Sequence, residues 1–217
     1  MSVKKFAWAS ILTFVAIVFC YYFVDRSAAE FAAEHGLRRF KLLDWISSIP
    51  VYISYITAVV CVLAIIVFAF KRRVEKWMLC SFIIAISLYL SSTVKDQLKF
   101  VFGRYWPATW KDGNPSWINN HEYGFHPFHS GVWYQSFPSG HATAIFASMA
   151  VIWMLYPRLR VPAFFLIALT CIGQLGMYFH FVSDIIGGAY LGSVFGIGFV
   201  LAAKRYTPLG KMTPQAC

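Results

Sequence analysis

Six apolar stretches dominate the sequence, each near the length of about 20 residues that an α-helix needs to cross a bilayer. They cover residues 6–24, 51–70, 77–94, 138–156, 161–179 and 184–203. Of the 217 residues, 59% are hydrophobic and 13% are charged, whereas soluble domains carry about 25% charged residues. We therefore predict an all-α fold, a bundle of six transmembrane helices that forms a single membrane-embedded domain over residues 1–217.

Basic residues in the connections predict the orientation of this bundle. The short connections and termini on one side hold eleven of the 19 Lys and Arg residues but one acid, Glu75. Because cytoplasmic loops are enriched in Lys and Arg, we expect both termini in the cytoplasm and treat residues 6–24 as an uncleaved span. The net charge of +10 is then a topology signal, which disfavours nucleic acid as a partner.

The two long connections fall on the outer side. Residues 25–50 mix charged and apolar residues, which predicts an amphipathic segment in the membrane interface. Residues 95–137 are rich in aromatic residues, a pattern typical of interfacial anchoring; the same loop could also wall a site for an amphiphilic substrate. The five cysteines are scattered without metal-ligand spacing, so we expect neither a disulfide framework nor a structural zinc site.

The sequence that opens the fourth span is suited to binding an anion. Pro138 is tolerated in a first helical turn, and the free N–H groups of such a turn bind anions with the help of the helix dipole. Ser139 adds a hydroxyl, Gly140 allows close approach to the backbone, and His141 can donate a proton near neutral pH. The alternative interpretation is an ordinary capped helix start with an incidental histidine, but even alone the motif favours function.

Two further polar clusters lie near the ends of spans. His180 and Asp184 are four residues apart, so a carboxylate can orient the imidazole and leave its other nitrogen as a nucleophile or base. Lys99 and Arg104 follow the third span and could bind phosphate oxygens, with Lys95 a possible substitute for Lys99. A capping pair and interfacial snorkelling are the alternative interpretations.

The location of the three clusters is the stronger argument. The third and fifth spans end on the outer side and the fourth begins there, so all three clusters fall at one depth on one face. Ionisable groups that converge at membrane depth are costly and indicate function. Cations, backbone donors, two histidines and a carboxylate together are equipment for phosphoryl transfer.

These motifs resemble the type 2 phosphatidic acid phosphatase superfamily of membrane lipid phosphatases. Its signature is K-x6-RP, then PSGH, then SR-x5-H-x3-D, on a six-span helical core. Pro138–His141 matches the second motif in full, and His180 with Asp184 matches the end of the third. The resemblance covers about residues 50–203.

The resemblance implies a role for each matching residue. His180 attacks phosphorus and forms a phosphohistidine, Asp184 orients it, and His141 protonates the leaving oxygen. The phosphate-binding residues are Lys99, Arg104, Ser139 and Gly140. Family members need no metal, so the resemblance implies neither a metal site nor a cofactor.

Two signature arginines are missing. Trp106 stands in the place of the first, and we expect Arg104, where many members carry a further Arg, to take over phosphate binding. Gly173 and Gln174 replace the Ser-Arg pair of the third motif. Loss of one oxyanion donor costs about 100- to 1000-fold in some enzymes, so the activity is low or lost unless other groups compensate. Candidates for that compensation are Lys111, His121, His126 and His129.

We therefore predict a lipid phosphatase of the plasma (bacterial inner) membrane whose site faces the periplasm. The resemblance implies a phospholipid, lipid A or isoprenoid phosphate as substrate. One alternative is a lipid phosphotransferase that uses the same intermediate. Another is a catalytically weak carrier or scaffold that binds lipid phosphates, although a pure binder has little use for His141, His180 and Asp184. A run of Gly188, Gly192 and Gly196 in the last span predicts close helix packing.

Overall fold

A computed structural model describes residues 3–110, 113–207 and 209 of the chain. The described residues form nine α-helices and no β-strand, which confirms the predicted all-α architecture. The helices are α1 (Val3–Phe23), α2 (Asp25–Glu34), α3 (Lys41–Ser47), α4 (Ile49–Lys71), α5 (Lys76–Phe102), α6 (Trp117–Asn120), α7 (Gly140–Leu155), α8 (Arg160–Gly176) and α9 (Val182–Tyr206). Single 3-10 turns occur at Leu37–Arg39, Val132–Tyr134 and Pro157–Leu159.

Five of the described helices are long and apolar enough to cross a membrane: α1, α4, α5, α8 with its preceding turn, and α9. The predicted fourth span is shorter, because α7 has 16 residues, or about 24 Å at 1.5 Å per residue. A hydrocarbon core is about 30 Å thick. Helix α7 contacts α4, α5, α8 and α9, and half of its side chains are buried. It is thus the central helix of the bundle, and its neighbours cover much of its surface.

Helix α5 is longer than the sequence pattern predicted. The third span was expected to end at residue 94 and the loop to begin at residue 95, yet α5 continues to Phe102. It ends at Gly103, whose φ of 57° lies in the left-handed region that glycine tolerates. Lys95 and Lys99 therefore sit on the last two turns of a helix, four residues apart and on one face.

The segment at residues 25–50 is two short helices, where one amphipathic segment was predicted. Helix α2 contacts α6, α8 and α9, while α3 lies along α8. The chain turns between them at Gly36, which has a φ of 58°. Asp25, Ala29, Ala32 and Ser47 are buried, so one side of this segment packs against the bundle.

Helices α7 and α9 are the most closely packed pair of the bundle, and three glycines of α9 make this possible. A Cβ on Gly192 would lie 2.2 Å from the carbonyl oxygen of Thr143, and one on Gly188 would lie 2.4 Å from that of Ser139. A Cβ on Gly196 would lie 2.5 Å from the carbonyl oxygen of Ala147. All three obstacles are backbone atoms of α7 or of its N-cap residue, so the predicted packing role of these glycines is confirmed.

We expect Gly192→Ala to lower the free energy of unfolding by about 1–3 kcal/mol, the usual cost of overpacking. Gly198→Ala is the matched control, because a Cβ there meets nothing within 4 Å and alanine favours a helix. Thermal unfolding in detergent should show a lower midpoint for the first variant alone. Equal midpoints for both variants would contradict close packing at Gly192.

Candidate active site

A cavity of about 410 Å³ lies where α5 and α8 end and where α4 and α7 begin; we call this the cavity end of the bundle. Four of the seven site residues predicted from the sequence lie in its wall: Lys99, Gly140, His141 and His180. The other three, Arg104, Ser139 and Asp184, are fully buried and are not part of the wall. Sequence reasoning did not point to the α4 residues Pro50, Val51 and Ser54, which also line the cavity.

His180 and Asp184 are adjacent although the chain between them is not a continuous helix. His180 precedes α9, and Asp184 lies in its first turn. The Nδ1 atom of His180 is 3.5 Å from Oδ2 of Asp184, a long contact that a small movement would turn into a hydrogen bond. With Nδ1 facing the carboxylate, Nε2 is the ring nitrogen that remains available for chemistry.

The Asp184 carboxylate is held by several donors besides His180. Its Oδ2 accepts hydrogen bonds from the Ser136 hydroxyl at 2.6 Å and from the backbone N–H of Phe181 at 2.9 Å. Its Oδ1 accepts one from Arg104 at 2.5 Å. The carboxylate therefore has a fixed orientation, and it can orient the imidazole in turn.

The imidazole of His180 favours its neutral form. Burial lowers its pKa, and the charge of Lys99 acts in the same direction, while Asp184 opposes both. A neutral imidazole has a lone pair on one nitrogen, which a nucleophile requires.

Ser139 is the N-cap of α7 and does not face the cavity. Its hydroxyl oxygen accepts a hydrogen bond from the N–H of Ala142 at 3.3 Å, and its own N–H donates to the backbone carbonyl of Asp184 at 3.0 Å. The next two residues, Gly140 and His141, form the part of the wall at the helix N-terminus. Ser139 thus fixes the start of α7 against α9 and leaves the backbone donors of the first turn at the cavity.

Two lysines supply positive charge to the cavity wall, Lys95 and Lys99. Lys95 forms an ion pair with Asp96 at 2.8 Å, and its Nζ would lie 3.6 Å from a Cβ on Gly140. The ammonium of Lys99 is 5.5 Å from the centre of the Trp106 ring. Lys95 therefore stands beside Lys99 as a second cation, where the sequence had suggested it as a substitute.

Trp106 forms an aromatic wall in the place of the first missing arginine. Its ring centre is 5.2 Å from that of His180 and 4.9 Å from that of Trp110. Its indole N–H donates to the backbone carbonyl of Val132 at 2.6 Å, which points this donor away from the cavity. This position supplies a surface that packs against the imidazole of His180 and supplies no cation.

Arg104 does not occupy the place that we expected for it. Its side chain is 0% exposed and its guanidinium donates to the carboxylates of Asp184 at 2.5 Å and Asp25 at 2.7 Å. Further bonds run to the hydroxyls of Ser183 at 2.6 Å and Tyr123 at 3.0 Å. Because these acceptors surround the guanidinium away from the cavity wall, the assignment of Arg104 as a phosphate ligand is corrected: it orients Asp184 from behind.

Asp25 completes this buried cluster, and sequence reasoning missed it. It opens α2, and its Oδ1 accepts a hydrogen bond from the N–H of Ser183 at 2.9 Å. Its other oxygen also accepts from the Ser183 hydroxyl. The only sequence signal was an acid directly after an apolar span. The cluster also raises the pKa of Arg104 through the two carboxylates, against the effect of burial.

The other residues proposed to replace the missing charge lie elsewhere. Lys111 is outside the described residues. His121 is exposed, and His126 and His129 pack near each other and Tyr134; none of these three lines the cavity. In the described part of the chain, no three His, Cys, Asp or Glu side chains are grouped as they would be around a metal ion.

We expect Arg104→Met and Asp25→Asn to lower the free energy of unfolding, Arg104→Met by about 3–5 kcal/mol, because it leaves buried charges without their partner. Arg26→Met is the matched control, since Arg26 neighbours Asp25 in sequence but is exposed. Denaturant unfolding in detergent measures the difference. An Arg104→Met protein as stable as the control would show that the ion pairs do not hold this end together.

Comparison with known proteins agrees with the motifs and the fold. The profile of the PAP2 superfamily matches residues 76–208. Two curated relatives, lipid A 1-phosphatases from Rhizobium etli and Rhizobium johnstonii, are each 36% identical to the chain over 103 residues. The match covers 44% of this chain and only 42% and 40% of the two relatives, so it spans less than half of either relative.

A solved structure shares the fold. The crystal structure of the first transmembrane PAP2 type phosphatidylglycerolphosphate phosphatase from Bacillus subtilis superposes with a TM-score of 0.54 and 15% sequence identity. The superposition covers 91% of this chain and 96% of that one. Since the family profile matches more than half of the 217 residues, the chain belongs to the PAP2 superfamily, which the motif resemblance predicted.

Proposed function

We propose that the protein is a membrane phosphatase that hydrolyses lipid-linked phosphate at the cavity end of the bundle, through a phosphohistidine intermediate. One observation carries the proposal. A neutral histidine backed by a fixed carboxylate, a second histidine, two lysines and a helix N-terminus all converge on one cavity. These are the groups that phosphoryl transfer needs: a nucleophile, an acid and donors for the phosphate oxygens.

The first chemical step is attack by His180. Asp184 accepts a hydrogen bond from Nδ1–H and so keeps the proton on Nδ1, which leaves the lone pair of Nε2 free to attack phosphorus. The bond from phosphorus to the leaving oxygen breaks as the new bond forms. His141 gives that oxygen a proton, so that the lipid leaves as an alcohol.

The second step releases phosphate. A water molecule attacks the phosphohistidine, and His141, now without its proton, accepts one from the water. Nε2 is restored as the leaving group. This sequence uses both histidines of the cavity wall and returns each to its starting state.

The phosphate oxygens would be held by Lys95 and Lys99 on one side and by the backbone N–H groups of Gly140 and His141 on the other. All four residues lie in the cavity wall. The N-terminus of α7 adds its partial positive charge. Lys95 thus takes the place that was first assigned to Arg104.

The proposed orientation places the cavity at the outer, periplasmic face of a bacterial inner membrane. This orientation requires six spans. Helix α7, the fourth of them along the chain, is the short one, and its neighbours enclose it. Basic residues stand at the opposite end, where Lys76 donates to the carbonyl of Leu155 at 2.7 Å and Arg160 to that of Trp153 at 3.1 Å. The positive-inside rule makes that end cytoplasmic.

A lipid fits the character of the cavity. Its wall includes Pro50 and Val51 of α4 and the rings of Trp110 and Phe179, which would contact the apolar part of an amphiphile. Arg38 lies 5.6 Å from the ring centre of Phe179, which places a cation beside this part of the wall. The relatives' names make lipid A and phosphatidylglycerol phosphate the first substrates to test.

We expect wild-type protein in detergent to release phosphate from at least one of lipid A, phosphatidylglycerol phosphate, phosphatidic acid and undecaprenyl diphosphate. His180→Ala should release none above background, because it lacks the nucleophile, and His141→Ala should retain about 1% or less, the usual loss of an acid–base group. His35 is an exposed histidine that does not line the cavity, so His35→Ala is the matched control and should match wild type.

Each outcome of this assay is informative. Equal release by wild type and His180→Ala would refute the phosphohistidine mechanism. Binding without release for every lipid would support a carrier or scaffold instead. Appearance of the phosphoryl group on a second lipid, in place of free phosphate, would identify a phosphotransferase.

A further inference from the structure

We infer that the site selects a phosphate group that carries a proton, and that Gln174 is the residue that recognises it, through a hydrogen bond from a P–OH group to Oε1. The inference rests on the proposed function and deepens it. It concerns the ionisation state of the substrate, which neither the family nor the relatives' names specify for this chain.

The orientation of the Gln174 amide is fixed by a neighbouring helix. Its Nε2 donates a hydrogen bond to the backbone carbonyl of Ser47, at the end of α3, at 3.1 Å. A flipped amide would place two oxygens against each other there, so the nitrogen must face Ser47. The oxygen is therefore assigned by the hydrogen-bond network.

Close packing of α3 on α8 prevents this contact from loosening. A Cβ on Gly173 would lie 2.5 Å from the backbone nitrogen of Ser47, and one on Gly176 would lie 2.8 Å from Cδ1 of Leu43. The two departures from the third motif are thus linked, because Gly173 makes room for α3 and Gln174 bonds to it.

The Oε1 atom of Gln174 is a buried acceptor that belongs to a residue of the cavity wall. Gln174 is 0% exposed and belongs to the cavity wall, and among the described residues Oε1 has no hydrogen-bond partner. A buried acceptor without a donor costs about 1–3 kcal/mol. A ligand that brings a donor to this atom recovers that cost, and a ligand that brings another acceptor adds repulsion.

Among the described residues, the charged and titratable groups around the cavity are few. They are Lys95 and Lys99 on α5, His141 on α7, His180 after α8, and Arg38 beside Phe179. Lys95 already pairs with Asp96. At the positions of the two signature arginines, this wall has the ring of Trp106 and the amide of Gln174. A dianionic phosphate therefore meets less positive charge here, and the Gln174 oxygen repels it.

A singly protonated phosphate suits these groups better. Its charge is lower, its P–OH donates to Oε1, and its other oxygens face the lysines and the α7 N-terminus. The second pKa of a phosphate monoester is about 6, so this form is abundant in mildly acidic solution.

The reaction balances with this proton in place. The P–OH hydrogen stays on the phosphoryl group while it moves to His180 and then to water. The lipid alcohol leaves with the proton of His141, which is regained from the attacking water. Dihydrogen phosphate is the product.

Inorganic phosphate and sulfate test the inference by binding alone. The two ions have the same shape, but sulfate carries no proton in mildly acidic solution. Titration calorimetry on the full-length protein in detergent gives Kd for each ion at about pH 5 and about pH 8, on either side of the phosphate pKa. The two ions also differ in charge at acidic pH, so the change in the ratio of the two Kd values from wild type to Gln174→Met isolates the contribution of the P–OH contact.

Three variants define the contribution of Gln174. Gln174→Met keeps the shape and removes the acceptor, whereas Gln174→Glu keeps an acceptor and loses the donor to Ser47. Thr170→Val is the matched control one turn earlier on α8, where the hydroxyl donates within the helix to Leu166 at 2.8 Å and does not line the cavity.

Wild type and Thr170→Val should bind phosphate at least about tenfold more tightly than sulfate at acidic pH, since a site with a dedicated acceptor rejects the analogue without the donor. This preference should shrink at alkaline pH. Gln174→Met should lose it, and Gln174→Glu should keep it at acidic pH with weaker binding of both ions.

Two results would overturn the inference: a wild type without preference, or a Gln174→Met variant that keeps the full preference. If Gln174 only anchored α3, Gln174→Met and Gln174→Glu would each weaken the binding of phosphate and of sulfate by the same factor. The titration needs no turnover, so a failure of the lipid assay and a failure of this inference are separate results.

Discussion

The buried ion pairs of Arg104 are the interaction on which the cavity end of the bundle depends. One guanidinium joins Asp25 at the start of α2 to Asp184 in the first turn of α9. Arginine is suited to this because its fork can bond to two carboxylates at once. The faces of Tyr21, Phe125 and Phe181 lie within 4.4–5.3 Å of its centre, so the charge is enclosed by rings as well as by carboxylates.

The geometry of the proposed catalytic site follows from that anchor. Asp184 is fixed by Arg104 and Ser136, His180 lies against Asp184, and the carbonyl of Asp184 accepts from the N–H of Ser139. The start of α7, with His141, is thereby tied to the same point, and the glycines of α9 let the two helices approach. Substitutions in the buried cluster of Arg104 and Asp25 should therefore change the rate of reaction, although these residues do not line the cavity.

The sequence pointed to the proposed catalytic groups more readily than to the residues that hold them in place. His141, His180 and Asp184 were identifiable because apolar spans of known length bring their ends to one side of a bundle. Arg104 was not, because whether an arginine after a span faces a ligand or two carboxylates depends on partners distant in sequence. Asp25 lies 79 residues from Arg104, and Gln174 gains its orientation from Ser47, 127 residues away.

The central claim is that His180 carries the phosphoryl group, and trapping it is the direct measurement. The protein is mixed with a lipid phosphate that it hydrolyses, quenched within one turnover and analysed by mass spectrometry of its peptides. The account predicts one phosphoryl group on His180, longer-lived in His141→Ala, because the second step then lacks its base, and absent in His180→Ala. A phosphoryl group on another residue, or turnover with none on the protein, would contradict it.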